Sequence, residues 1–467
     1  MPKHRFLLIN PWIYDFAAHD FWAKPLGLLY IASWLRRSGA EVYFLDCLDP
    51  HHPKMPFEPG VKQASRRPDG TGKFFRQRIP KPIFFKDIPR YYYRYGLTFR
   101  IFKEELENLP RPNAILVTSG MTYWYPGVFA VIHFCKQRWL GVPVILGGIY
   151  ATLCYEHALR HSQADFVLKG PAEKTLFPLL EQICNFKPDY LPQMEYDPDA
   201  PYPAFDLLRR LDYVCILTSR GCPFRCDYCA SSLLFPHFYQ RPPEDVFKEI
   251  LYWHKHYGVK EFAFYDDALL VNAREHALPL FEMLIKSKAE LHFHTPNGLH
   301  ARFITAEVAQ KMKLAGVKTV RLGLETASPK RHDQKLTREE FIQAVRYLQE
   351  AGFTKEQIGA YILVGLPGQT REEVEETVIF AQRIGVTPRL AEYSPIPGTK
   401  LWLEAIKKCR HPIDKDPLFH NNSILPCASN SFELSDLKDI KRKIWHASCK
   451  QAKSVLFYKQ KERGDRR

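Results

Sequence analysis

Three cysteines, Cys222, Cys226 and Cys229, fall in the single run CPFRCDYC. Their spacing lets one loop present three thiolates together. Such a loop can ligate three irons of a 4Fe-4S cubane and leave the fourth iron open to a chelating molecule. A structural zinc site is the competing chemistry. Zinc, however, closes its shell with four ligands, commonly in two pairs, and the nearest further donor, His237, stands alone.

The segments around this loop must position it. YVCILTSRG, EFAFYDD, LHFHTPNG, TVRLGLETA, IGAYILVGLPG and PRLAEYSP read as strands. Between them, PPEDVFKEILYWHKHYG, TAEVAQKMKLAG, TREEFIQAVRYLQEAG and REEVEETVIFAQRIG read as amphipathic helices, mostly opening on an N-cap or Pro and closing on Gly. Six strand and helix units in series predict a partial β/α barrel over residues 211–400, with catalytic groups at the C-terminal strand ends. Upstream, RFLLIN, EVYFLD, AILVTSG, VPVILGG and ADFVLKG alternate with helical stretches. This pattern predicts an α/β, doubly wound, Rossmann-like domain over 1–185, carrying an insertion at about 47–112. Residues 186–210, crowded with Pro and Asp, read as a linker, and 401–467 as a short helical extension.

Composition narrows the setting. The 467 residues carry 66 Lys and Arg against 51 Asp and Glu, a formal charge of +15 that favours anionic partners. The opening MPKHRFLLINPW is too short in apolar run for a signal peptide, and no transmembrane segment is expected. The eleven cysteines are therefore expected in a reducing compartment, the cytoplasm.

With these residues in hand, the chain resembles the radical S-adenosylmethionine (SAM) superfamily. The resemblance rests on CxxxCxxC after a first barrel strand, with Tyr228 before the last cysteine, and on YDDALLV, LGLETAS, YILVGLPGQT and EYSPIPGT behind it. It implies that Cys222, Cys226 and Cys229 bind the 4Fe-4S cluster and that Tyr228 packs close to the adenine of SAM. It also implies that Asp266 or Asp267 meets the SAM amino group, although many members carry Gly-Gly-Glu there. Glu325 is then placed for the ribose or methionine part. Gly365, Pro367 and Gly368 let backbone approach the adenine, with Gln369 replacing a Glu often seen at that position. The implied chemistry is one-electron reduction of SAM to a 5′-deoxyadenosyl radical, fed by a flavodoxin- or ferredoxin-like donor and acting on a small-molecule or peptide substrate.

The doubly wound domain ahead of the barrel resembles that of cobalamin-binding radical SAM proteins. On that resemblance Ser119 and Gly120 end the third strand in a turn beside the cofactor's nucleotide tail, and Gly147 and Gly148 end the fourth where the tail passes. The Asp-x-His-x-x-Gly lower-ligand motif is missing: that position reads NPWIYDFAAHD, and His19 does not fit the spacing. Three readings follow. One is a cobalamin-dependent, methyltransferase-like radical SAM enzyme, and another is a radical SAM oxidoreductase or rearrangement enzyme without cobalamin. The third, of another class, is a zinc-stabilised nucleic-acid-binding protein.

Between Gly72 and Lys103, nine Lys or Arg interleave with ten aromatics and one acid, Asp87. A nucleic-acid groove has this composition, but so does a packed lid with cations lying over rings, and the lid is the expected reading. Cys47, Cys135 and Cys154, like Cys409, Cys427 and Cys449, are too scattered for a second cluster and are expected as buried thiols. His292 and His294 alternate onto one strand face, with His300 beyond them.

Overall fold

The computed structural model describes residues 4–193, 197–328 and 336–446, which form two parallel sheets in series. The first holds β1 (Arg5–Asn10), β2 (Glu41–Asp46), β3 (Ala114–Val117), β4 (Val144–Leu146) and β5 (Phe166–Val167), in the order β2-β1-β3-β4-β5. Its all-parallel pairing requires helices on both faces, and β1 shows how they are recruited. Phe6 and Leu8 point into a core with the helices Leu26–Arg37 and Leu176–Cys184. Leu7 and Ile9 point into the opposite core, with Phe99–Glu107 and Tyr125–Arg138. Strand order reverses between β1 and β3, so a crevice opens at the C-terminal ends of these strands.

The insertion is ordered. Tyr92–Tyr95, Arg76–Ile79 and Val61–Lys62 form an antiparallel sheet with Ile13–Asp15 from the loop after β1. Its arginines lie over its rings: Arg76 is 4.8 Å from the Tyr93 centroid and Arg94 3.7 Å from that of Phe99.

The second sheet runs in chain order, β6 (Val214–Ile216), β7 (Glu261–Phe264), β8 (His292–His294), β9 (Val317–Glu325), β10 (Ile358–Val364) and β11 (Thr387–Glu392), each parallel to the next. Among the described residues, no pairing joins β6 to β11, which makes this a partial barrel. A helix follows each of β6 to β10, and two of these, Arg338–Glu350 and Arg371–Arg383, open on capping boxes from Thr337 and Thr370. On β10 the buried Ile358, Ala360, Ile362 and Val364 face these helices, leaving Gly359, Tyr361 and Leu363 on the other face.

The C-terminal segment carries helices, as expected of the extension, but is not helical throughout. Helix Lys400–Lys408 and a helix over 434–446 are separated by an irregular strap, where Pro412, Pro417 and Pro426 deny helical hydrogen bonding. The strap crosses to the first unit: Asn421 Nδ2 donates to the buried Asp15 at 3.0 Å, and Tyr125 OH donates to Asp416 at 3.0 Å. A further difference is that Cys409 and Cys427, expected as separate thiols, are joined as a disulfide across the strap. Cys449 lies outside the described residues. No helix among the described residues is long and apolar enough to cross a membrane.

Candidate active site

The cysteine loop leaves β6 and is closed at its base by the antiparallel pair Ser219–Arg220 with Tyr239–Gln240. Gly221 makes the turn into it at φ +75°, and a Cβ there would lie 2.5 Å from the His237 carbonyl, so only glycine fits. The loop is then held on two sides. Leu401 N donates to the Asp227 carbonyl at 2.9 Å, and the Phe224 ring lies 4.8 Å from His300 and 5.9 Å from Phe303. Cys222 and Cys226 are half-buried and Cys229 is exposed. Burial, reinforced by the Asp267 charge, pushes the Cys222 thiol up to about 11. Among the described residues no three His, Cys, Asp or Glu side chains form a group that could hold a single metal ion. A cubane asks something else of a loop, one thiolate for each of three irons, and this loop carries three cysteines.

The two aspartates after β7 have different surroundings. Asp266 is buried and accepts from Thr218 N at 3.0 Å, Thr218 Oγ1 at 2.7 Å and Ser219 Oγ at 2.6 Å, tying the end of β7 to that of β6. Burial pushes its carboxyl up to about 6. Asp267 accepts from Ser231 Oγ, just after the cysteines, and lines a cavity of about 10 Å³ with Gly298, Leu299 and His300. Asp266 lines the same cavity, but of the two it is Asp267 that bonds the segment just after the cysteines. Glu325 ends β9 at φ +58°, where the register on β10 shifts between Gly323 and Glu325. A bulge of this kind re-aims a side chain, and a non-glycine residue in this conformation marks strain retained for a reason.

The turn after β10 carries Gly365 at φ +80° and Gly368 at φ +66°. Gln369 holds it from within: Oε1 accepts from Gly365 N at 2.7 Å and Leu366 N at 3.2 Å, while Nε2 donates to the Leu363 carbonyl at 3.0 Å. A carboxylate could accept but not donate here, which is a physical reason for Gln at this position. Tyr228 and Leu363 pack against the apolar core that holds Leu366, Tyr393 and the strands of the first unit.

That first unit brings its predicted residues together. Ser119 Oγ donates to the Gly147 carbonyl at 2.6 Å, and Ile149 N donates to the Ser119 carbonyl at 2.8 Å. Gly148, at φ +93°, allows the contact, since a Cβ there would lie 2.5 Å from the Ser119 carbonyl. At Gly147 a Cβ would meet nothing within 4 Å, so the corner is open on that side. The next helix, Ile149–Leu153, packs against Ser231–Leu234 of the cysteine loop. His19 stands exposed, its ring 5.5 Å from Phe21. Cys47, Cys135 and Cys154 are all buried, as expected, and burial raises all three thiols.

Residues 216–381 match the family described as the radical SAM superfamily. This stretch is a radical SAM domain. The match runs from the last residue of β6 into the helix after β10 and takes in the cysteine loop, both aspartates, Glu325 and the glycine turn. An uncharacterised methyltransferase of Pyrococcus horikoshii is 28% identical over 63% of this chain and 70% of its own length. Cytidylyl-2-hydroxyethylphosphonate methyltransferase of Streptomyces wedmorensis is 24% identical over 86% of this chain and 82% of its own. Among solved structures, the radical SAM methyltransferase TsrM of Kitasatospora setae, with cobalamin and a 4Fe-4S cluster bound, superposes with a TM-score of 0.63 at 17% identity. It covers 91% of this chain and 85% of TsrM, so the likeness of fold extends across both units.

The radical SAM domain also uses residues that the motifs did not single out. Arg220, two positions before Cys222, pairs with the buried Glu173 of the first unit, and its guanidinium lies 4.9 Å from the Phe235 centroid. Burial works against the Arg220 charge, but Glu173 and Tyr239 outweigh it and hold the guanidinium above its ordinary range. Thr218 Oγ1, besides binding Asp266, lies 2.7 Å from His276 Nε2, and burial lowers that imidazole to about 4. Only the polar run TSR before the first cysteine hinted at either network.

Proposed function

We propose that this radical SAM protein is a cobalamin-dependent enzyme of the methyltransferase type. The observation that carries the reading is the corner built from Ser119, Gly147 and Gly148. It is closed by hydrogen bonds, open where Gly147 has no side chain, and placed on the helix that packs against the cysteine loop. A cofactor tail held there would lie beside a cluster held by Cys222, Cys226 and Cys229. When bound, the cluster and SAM supply a 5′-deoxyadenosyl radical and cobalamin supplies a methyl carrier.

The chain's own residues have distinct tasks in this reading. Asp267, fixed by Ser231, receives the SAM amino group, while Asp266 stays inside as a brace between β6 and β7. Glu325 faces the ribose or methionine part, and the Gly365–Gly368 turn, set by Gln369, leaves backbone exposed to adenine. Tyr228, Leu366 and Tyr393 keep water from the junction. The substrate is a small molecule or peptide, the electron donor a flavodoxin- or ferredoxin-like protein, and the setting the cytoplasm.

The test is anaerobic reconstitution with iron, sulfide and hydroxocobalamin, read by visible and EPR spectra and by 5′-deoxyadenosine and S-adenosylhomocysteine release. A SAM-perturbed 4Fe-4S signal with stoichiometric cobalamin is the expected result. A cluster without cobalamin would refute the methyl-transfer reading and leave radical chemistry alone, and bound zinc in place of a cluster would refute both.

A further inference from the structure

The insertion ends in an apolar tip that the rest of the described chain leaves uncovered. In the turn Ile83–Phe85, Ile83 is 74% and Phe84 56% exposed, whereas Phe85 is fully buried. The turn lies between Arg76–Ile79 and Tyr92–Tyr95, at the end of their hairpin, with Tyr91 beside it 58% exposed. Its shape is built in. Lys81 Nζ donates to the carbonyls of Lys86 at 3.1 Å and Ile88 at 2.8 Å, and the Phe85 ring sits 5.4 Å from Phe16. Large apolar side chains held outward on a braced turn mark a contact surface.

Charge indicates the partner. Arg78 and Lys86 are exposed at the tip against one acid, Asp87, on a chain of formal charge +15. Apolar side chains flanked by cations match an anionic lipid surface, where the former enter the acyl boundary and the latter stay among headgroups. A nucleic acid fits less well. Ile83 has no π face to stack on a base, and Arg76 and Arg94 already lie over Tyr93 and Phe99.

We propose that the tip around Ile83 and Phe84 docks this protein peripherally on an anionic membrane surface. Phe84 lies 5.5 Å from Phe419, and Arg90 Nη1 donates to the Ser423 carbonyl at 3.0 Å. Docking therefore turns the strap side of the molecule toward the lipid.

The test is cosedimentation of the full chain with vesicles of phosphatidylcholine and phosphatidylglycerol in equal parts, against phosphatidylcholine alone. The mixed vesicles bind it at least about tenfold more tightly, and Lys86→Gln weakens that binding about fivefold. Ile83→Ser, which removes an outward side chain, weakens it about tenfold or more with the melting temperature unchanged. Phe84→Ser gives the same loss, but because Phe84 touches the strap, Ile83→Ser carries the test. Equal binding to both vesicle types, or undiminished binding by Ile83→Ser, overturns the proposal. So does a concentration-dependent dimer that Ile83→Ser abolishes, or retention by a single-stranded oligonucleotide with none by vesicles.

Discussion

Gly147 and Gly148 are neighbours at the end of β4, yet their replacement has opposite consequences. At Gly148 the backbone is left-handed, and an added Cβ would meet the Ser119 carbonyl at 2.5 Å and its amide nitrogen at 2.7 Å. Neither backbone atom can move without disturbing β3, so Gly148→Ala costs about 1–3 kcal/mol in strain alone and lowers the melting temperature of the apoprotein. Gly147 is not in the left-handed region, and its Cβ direction is empty to 4 Å. Gly147→Leu therefore changes stability by less than about 1 kcal/mol. The same side chain occupies the space left for a cofactor tail, which must then retreat by about 4 Å, a full van der Waals contact distance. A hundredfold loss of cobalamin affinity, about 2.8 kcal/mol, is expected. The assay is reconstitution with hydroxocobalamin, gel filtration, and the visible spectrum of the protein fraction, with iron and sulfide measured in parallel. Unchanged iron, an unchanged melting temperature and absent cobalamin are expected for Gly147→Leu. Stoichiometric cobalamin in that variant would refute the assignment of this corner to the cofactor.

Three further perturbations test the barrel rim. Asp266 has its carboxyl raised by burial from 3.8 to about 6, so the stabilisation belongs to the protonated form: it is complete below the unfolded value and lost as pH rises through the folded one. Wild type should lose about 2 kcal/mol relative to Asp266→Asn between about pH 4.5 and 7.5, and parallel unfolding curves for the two proteins would contradict this. Gln369→Glu places an acceptor against the Leu363 carbonyl and costs about 1–3 kcal/mol at neutral pH. A buried carboxyl with a raised pKa regains its donor when protonated, so denaturant titrations should show that deficit shrinking toward pH 5; a deficit that does not vary with pH would be inconsistent with the turn described. Glu173→Gln leaves the half-buried Arg220 without its counter-charge and should destabilise by about 3 kcal/mol, with a lower melting temperature and reduced iron retention. Wild-type melting in that variant would show that the pair does not join the two units.

Most of the framework was legible because it rests on periodicity. RFLLIN alternates between two cores, and IGAYILV puts every second residue toward helices whose Thr-x-x-Glu boxes announce their starts. The cysteine loop was legible because ligand spacing is local. What lay beyond reading was set by contacts distant in sequence. Asp266 and Asp267 are identical in type and adjacent, and only the fold turns one inward to Thr218 and the other to Ser231. Glu173 and Arg220 are brought together by the docking of two units, and Cys409 and Cys427 by a proline-broken strap with no period to detect. In the insertion, composition announced cations and rings but not which arginine covers which ring, nor that Ile83 and Phe84 would be left outside.

The strap changes how the glycine turn is understood. By motif alone, Gly365 is small so that backbone can approach adenine. In this chain a Cβ at Gly365 would first meet Leu425 Cδ1 at 2.4 Å, and Leu425 is fully buried and itself at φ +53°. The missing side chain therefore also accommodates the strap, which is anchored on Asp15 and Thr122 of the first unit. The turn is thus fixed from two directions, by Gln369 from within the radical SAM domain and by Leu425 from outside it. A barrel shortened to residues 211–400 would keep Cys222, Cys226, Cys229 and the barrel motifs, yet lose the outer support of this turn and the Glu173 partner of Arg220. Cluster assembly and SAM cleavage should consequently depend on the first unit and the strap, even though neither supplies a ligand to iron in the proposed site.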